Sequence, residues 1–134
     1  MRRAEIKRDT FETKITMSID IDGTGENSIS TGIGFFDHML THISKHGFMD
    51  FDVNAKGDIE VDCHHTIEDV GIVLGKCIAK ALGDKKGIKR YGFFILPMDE
   101  ALILCSMDIS GRAYLNFDVT FPTQKCGDMD MEMV

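Results

Sequence analysis

Apolar and polar positions alternate over Glu5–Ile21, with Thr13, Ile15, Met17, Ile19 and Ile21 on one side. A period of two predicts one or two strands with a single buried face. Asp22–Thr31, rich in Gly, Ser and Asn, reads as a loop. The period then changes. Over Phe35–His46 the residues Phe36, Leu40 and Ile43 recur at helical spacing, and Gly47 stands where a glycine commonly ends a helix. Phe48–Val53 and Ile59–Cys63 read as short strands around a Lys56-Gly57-Asp58 hairpin turn. Thr66–Leu82 carries the longest helical stripe, formed by Val70, Val73, Leu74, Cys77, Ile78 and Leu82 and closed by Gly83. Further strands are expected at Phe93–Leu96, Ala101–Ile109 and Ala113–Thr120, with a helix beginning in Gly127–Val134. The pattern predicts a two-layer α+β fold, a sheet with two helices packed on one side.

An internal repeat organises these elements. Glu12–Gly23 aligns with Glu100–Gly111 at an offset of 88, with identity at Glu12/Glu100, Ile15/Ile103, Ser18/Ser106, Asp20/Asp108, Ile21/Ile109 and Gly23/Gly111. Six matches in twelve positions favour duplication over chance likeness of two amphipathic strands. The expected organisation is a first α+β unit at 1–87 and the N-terminal half of a second at 88–134, within one compact domain. On this reading the second copy is incomplete, since a full one would run beyond Val134.

Composition narrows the function. The 134 residues carry 15 Lys+Arg against 22 Asp+Glu, a net charge of −7. An acidic surface disfavours non-specific binding to nucleic acid or anionic membrane. The most apolar run, Gly92–Pro97, is far shorter than the roughly 18 residues needed to cross a bilayer. Met1-Arg2-Arg3-Ala4-Glu5 turns charged again where a signal peptide would become apolar. The four cysteines (Cys63, Cys77, Cys105, Cys126) form no CxxC pair, which suits reduced thiols and a cytoplasmic location.

The histidines concentrate the chemistry. All five (His38, His42, His46, His64 and His65) fall within 28 residues. His38, His42 and His46 are spaced i, i+4, i+8 and share one helix face. In His64-His65-Thr66-Ile67-Glu68 both imidazoles can approach the Glu68 carboxylate, from i, i+4 and i, i+3. Adjacent helical residues diverge by about 100°, so the pair suits two neighbouring ions better than one chelated ion. Imidazole and carboxylate donors without a thiolate cluster suit manganese, iron or zinc. Cys63, beside the pair, reads as a buried core thiol. Arg90 and Arg112 sit at turns, where a planar five-donor fork makes a good phosphate ligand in an acidic protein. Pro97-Met98-Asp99-Glu100 ends an apolar strand with two carboxylates able to act as acid or base.

Several of these motifs occur together in one order: Gly34-Phe35-Phe36-Asp37-His38-Met39-Leu40, Asp62-Cys63-His64-His65-Thr66-Ile67-Glu68-Asp69, Arg90-Tyr91-Gly92, Pro97-Met98-Asp99-Glu100-Ala101-Leu102 and Asp108-Ile109-Ser110-Gly111-Arg112. The whole chain thereby resembles the imidazoleglycerol-phosphate dehydratase family, hydro-lyases (carbon–oxygen lyases) of histidine biosynthesis. The resemblance implies a duplicated α+β fold, two manganese ions per site, and homo-oligomeric shells of twenty-four subunits built from trimers. It implies His38, His64, His65 and Glu68 as metal ligands, with Glu12 and Glu68 catalytic. It places Glu12, His42, His46, Arg90, Arg112 and Asp99 on the substrate, with the two arginines and His46 on its phosphate. The implied reaction is loss of water from the phosphorylated imidazole substrate, imidazole glycerol phosphate, to give imidazole acetol phosphate. The alternative is a non-catalytic metal- or phosphate-ligand-binding fragment or assembly module.

The family's second unit supplies another HHxxE motif, a further histidine, and lysine and serine contacts to phosphate that are not found in these 134 residues. Four candidate ligands divided between two ions leave about two each, below the three usual in catalytic sites. The expectation for the chain as written is little or no dehydratase turnover. A turnover assay at saturating manganese checks it, and a rate comparable to that of a longer homologue refutes it.

Overall fold

The computed structural model describes all residues, Met1–Val134. Alternation in the first segment resolves into two antiparallel strands, β1 (Arg3–Asp9) and β2 (Thr13–Asp20), with Ala4 opposite Ile19 and Ile6 opposite Met17. Thr13, Ile15, Met17 and Ile19 are buried on one face, as the period of two requires. The segment expected to be loop contains a strand, β3 (Asn27–Ser30), running parallel to β4 (Asp50–Gly57) with Ile29 opposite Val53. Asn-Ser-Ile-Ser has little strand propensity, so its pairing comes from the neighbour. The Asp50 carboxylate anchors the approach to β3 by accepting the N–H groups of Thr24, Gly25 and Glu26 at 2.8–3.0 Å.

The first helix, α1 (Gly34–Gly47), ends one residue later than the glycine suggests. Phe48 takes the left-handed conformation at its C-terminus (φ 53°, ψ 34°), and its N–H and that of Met49 donate to the Ser44 carbonyl. Leu40 and Ser44 are buried, Phe36 is half-buried and Ile43 is exposed, which corrects the expected inward set. Ser44 tolerates burial because its hydroxyl donates to the Met49 carbonyl at 2.8 Å.

The expected hairpin after β4 is absent. Ile59 and Val61 are exposed in a turn closed by the Val61 N–H on the Asp58 carbonyl at 2.8 Å. The next helix, α2 (His64–Leu82), presses on this corner: a Cβ on Gly57 would meet Thr66 Oγ1 at 2.0 Å. The chain therefore turns straight into helix, leaving no second strand.

The sheet order is β1-β2-β4-β3, with α2 lying on β1, β2 and β4, and α1 on β3. Ala4, Ile15, Met17, Ile19, Phe51, Val53 and Ala55 of the sheet meet Leu40, Val70, Val73, Cys77 and Ala81 of the helices in one core. The two-layer α+β architecture thus stands as expected.

The chain divides into two compact units, Met1–Gly83 with Phe121–Val134, and Asp84–Thr120. Residues 121–134 group with the first unit. They form β7 (Lys125–Cys126), β8 (Met129–Asp130) and a 3₁₀ turn at Met131–Met133 where an α-helix was expected. The other unit holds β5 (Tyr91–Met98) paired with β6 (Ala101–Asp108), and Ala113–Thr120 forms no strand. Strand propensity alone does not hold that segment extended without a hydrogen-bonding neighbour.

The duplication is geometric. Shifting β1 and β2 by 88 positions lands on 91–97 and 101–108, and the pairing Arg3↔Asp20 becomes Tyr91↔Asp108 in the same register. The two copies differ in cover. Met17 is fully buried beneath α2, whereas its mate Cys105 and the neighbouring Phe93, Phe94 and Leu104 are exposed. No helix of the protein is long and apolar enough to cross a membrane.

Met17→Ala should therefore cost about 2–5 kcal/mol of unfolding free energy, and Cys105→Ala less than about 0.5 kcal/mol. Urea unfolding followed by circular dichroism measures both, and equal costs would contradict the difference in cover.

Candidate active site

The candidate residues of the first unit lie on α1, on the start of α2 and on the β1–β2 connection. Along α1 the i, i+4, i+8 spacing lines the imidazoles up on an exposed face. His38 and His42 approach through their Nε2 atoms at 3.0 Å, and the rings of His42 and His46 lie parallel, 5.3 Å apart. At the start of α2, His64 Nε2 is 3.7 Å from Glu68 Oε2, as the i, i+4 spacing suggests. His65 does not share that carboxylate. Its Nδ1 instead hydrogen-bonds Asp58 Oδ2 at 2.9 Å. The two neighbouring rings are 5.6 Å apart and inclined at 47°.

Asp58 holds the His65 imidazole above its ordinary pKa, with Glu12 and Asp62 adding to the negative field. Glu12 stands at the end of the β1–β2 connection. The connection is shaped locally by Thr10, whose hydroxyl accepts the N–H groups of Glu12 and Thr13. It is tied to α2 by a buried link in which the Thr13 hydroxyl donates to Asp69 Oδ2 at 2.5 Å and Arg8 pairs with Asp69 Oδ1 at 2.8 Å. Arg8 first, then Thr13, holds the Asp69 carboxyl below its ordinary pKa.

The other candidates lie in the second unit. Arg90 commits Nε and one amino group to Asp108 at 2.6 and 3.0 Å, and its guanidinium lies 4.8 Å from the Tyr91 ring centre. Arg112 is exposed. Asp99 occupies the two-residue β5–β6 turn with a left-handed backbone (φ 49°), which a short polar residue tolerates. The repeat mate of Glu12 is its neighbour Glu100.

No group of three or more His, Cys, Asp or Glu side chains converges as in a closed metal site. Pairs are present instead, His38 with His42 and His64 with Glu68. The donors are nitrogen and oxygen, and Cys63, the nearest thiol in sequence, is buried. His65 is held at Nδ1 by a carboxylate, with Nε2 as the remaining donor, the support that metal-bound histidines typically have. This donor set fits a manganese-type ion.

Asp58 and the Thr13–Asp69–Arg8 link are the features around the candidate residues that sequence patterning does not reveal. Asp58 sat in an expected hairpin turn, and nothing in its neighbours pointed to His65. Asp69 belongs to the His64–Asp69 motif, but its partners lie 56 and 61 positions away.

Fold and side chains define a class: a duplicated α+β protein with imidazole and carboxylate side chains gathered near its helix starts. The family model of imidazoleglycerol-phosphate dehydratase matches residues 31–134. The imidazoleglycerol-phosphate dehydratase of Acetivibrio thermocellus is 59% identical over 99% of this chain and 68% of its own length. That of Caldicellulosiruptor bescii is 62% identical, covering 99% and 69%. The crystal structure of the Staphylococcus aureus enzyme superposes with a TM-score of 0.86 at 37% identity, over 98% of this chain and 71% of that one. The Pyrococcus furiosus enzyme gives 0.73 at 36% identity, over 91% and 64%. The chain belongs to the imidazoleglycerol-phosphate dehydratase family, a family of hydro-lyases in histidine biosynthesis.

The Thr13–Asp69 bond fixes the Glu12 connection against α2. Thr13→Val should cost about 1.5–3 kcal/mol at pH 7, the range for a hydrogen bond to a charged group. Because the Asp69 pKa is lowered in the fold, this stabilisation is complete above the unfolded value near 3.9 and fades as pH falls through the native value. Urea unfolding of wild type and variant at pH 7 and in acid checks it; a difference that grows on acidification would contradict the assignment.

Proposed function

We propose that this chain serves the dehydration of imidazole glycerol phosphate to imidazole acetol phosphate, with manganese held by His38, His64, His65 and Glu68. The observation that carries the site assignment is the Asp58–His65 hydrogen bond, which holds the imidazole at Nδ1 and leaves Nε2 as its remaining donor atom. Manganese, when bound, would supply positive charge that stabilises negative charge building up on the substrate's imidazole ring.

The protein's own side chains then divide the remaining work. The substrate loses a carbon-bound proton and a hydroxyl group, and the two leave as water. Glu12, exposed and carried at a fixed position by the Thr13–Asp69 link, is suited to take and return the proton. Glu68, one turn after His64, joins it as the second catalytic carboxylate. Arg112 offers its whole guanidinium fork to the phosphate, while Arg90 keeps one amino group beyond those given to Asp108. His46, His42 and Asp99 complete the substrate contacts on this reading. Assembly of copies into trimer-based shells of twenty-four in the cytoplasm completes the proposal.

The decisive experiment is elemental analysis of wild type beside two variants. His64→Ala with His65→Ala should abolish manganese uptake, whereas Arg112→Ala should retain the metal and, in a catalytically active background, raise KM several-fold. Unchanged manganese in the double variant would refute the ligand assignment, and an unaltered KM would refute the phosphate role.

A further inference from the structure

The start of α1 lacks a local cap. The residue before it, Ile33, has extended backbone (φ −119°, ψ 102°) and an apolar side chain, so the first helical N–H groups have no partner nearby in sequence. They are satisfied from 94 positions away. Asp128 Oδ2 accepts the Gly34 N–H at 2.7 Å, and Asp128 Oδ1 accepts the Phe35 N–H at 3.1 Å. Asp128 stands in the two-residue turn between β7 and β8, after Gly127, whose φ of +60° suits glycine. A carboxylate at a helix N-terminus also meets the positive end of the helix dipole.

The next residue extends the contact to the other helix. Met129 is 3% exposed and shares a small core with Ile33, Cys63 and Ile67, flanked by Phe35, Phe36 and Met133. Cys63 and Ile67 bracket His64 and His65, and Ile67 directly precedes Glu68. β8 lies against α1, and the 3₁₀ turn lies against α2. On α1, His38 follows Gly34 by four residues, and its ring centre is 6.4 Å from that of Phe35.

We propose that Asp128 and Met129 form a positioning clip that sets the first turn of α1, bearing His38, against the first turn of α2, bearing His64, His65 and Glu68. The clip rests on the reading of those four side chains as metal ligands, and neither Asp128 nor Met129 touches substrate or metal itself. The physical reason is leverage. A single short hairpin fills the hydrogen-bonding deficit of one helix start and the apolar gap beside the other, so the two starts move together.

The test combines amide hydrogen exchange with manganese titration by electron paramagnetic resonance, on wild type, Asp128→Ala and Asp128→Asn. Asp128→Ala should speed exchange at Gly34 and Phe35 and also at Ile67, whose N–H donates to Cys63 at 3.1 Å, by about tenfold, while β2 amides stay protected. Manganese affinity should fall by about tenfold, and Asp128→Asn, which keeps an acceptor oxygen, should recover most of both effects. Faster exchange confined to α1 with unchanged manganese affinity would mean an ordinary helix cap and overturn the proposal. If Asp128→Ala fails to fold, Asp128→Asn decides: a two- to threefold effect at both helix starts supports the clip, and an unaltered Ile67 overturns it. If wild type takes up no manganese, the ligand assignment falls, and exchange at the two helix starts decides the clip alone.

Discussion

Burial of the α2 stripe against the sheet is the constraint on which the rest of the first unit depends. Val70, Val73 and Cys77 are fully buried against strands that contribute Ile15, Met17, Ile19, Phe51 and Val53. Apolar burial is the main favourable term in folding, and each large side chain removed from water contributes on the order of 1.5–3 kcal/mol. Once that stripe is seated, the rotation of the helix is fixed. Its first turn must then present His64 and Glu68 outward and send Asp69 inward to Thr13 and Arg8.

The candidate site inherits this geometry. An inward Asp69 holds the β1–β2 connection, and with it Glu12, against the helix start. His65, between the outward and inward faces, is half-buried and finds Asp58 on the corner that α2 itself has sharpened. The close approach at Gly57 has two consequences from one contact. It removes the second strand of the expected hairpin, and it leaves Asp58 beside the imidazole.

The two copies of the repeat show what the helix contributes. The pairing register is the same in β1–β2 and β5–β6, and the strand ranges differ by one residue, because both follow from local alternation and a short connection. Burial is not the same. With α2 over it, the first hairpin is core; the second carries Phe93, Phe94, Leu104 and Met107 exposed.

The sequence by itself determined what short-range periodicity encodes: the β1–β2 alternation, both helices to within a few residues, the offset of 88, and the chemical types gathered in the histidine motifs. Spacing within a helix is fixed by the helix, so the His64–Glu68 pair and the row of α1 histidines were legible before any fold was known. Tertiary structure alone decided the rest. β3 is a strand because β4 lies beside it, Ile59–Cys63 is a turn because α2 crowds Gly57, and Ser44 replaces Ile43 inside because Met49 accepts its hydroxyl hydrogen. His65 chose Asp58 over Glu68, and Asp128 capped a helix 94 residues away, for the same reason. Hydrogen-bond partners are selected by distance in space, and the residue types alone do not say which of several carboxylates will arrive there.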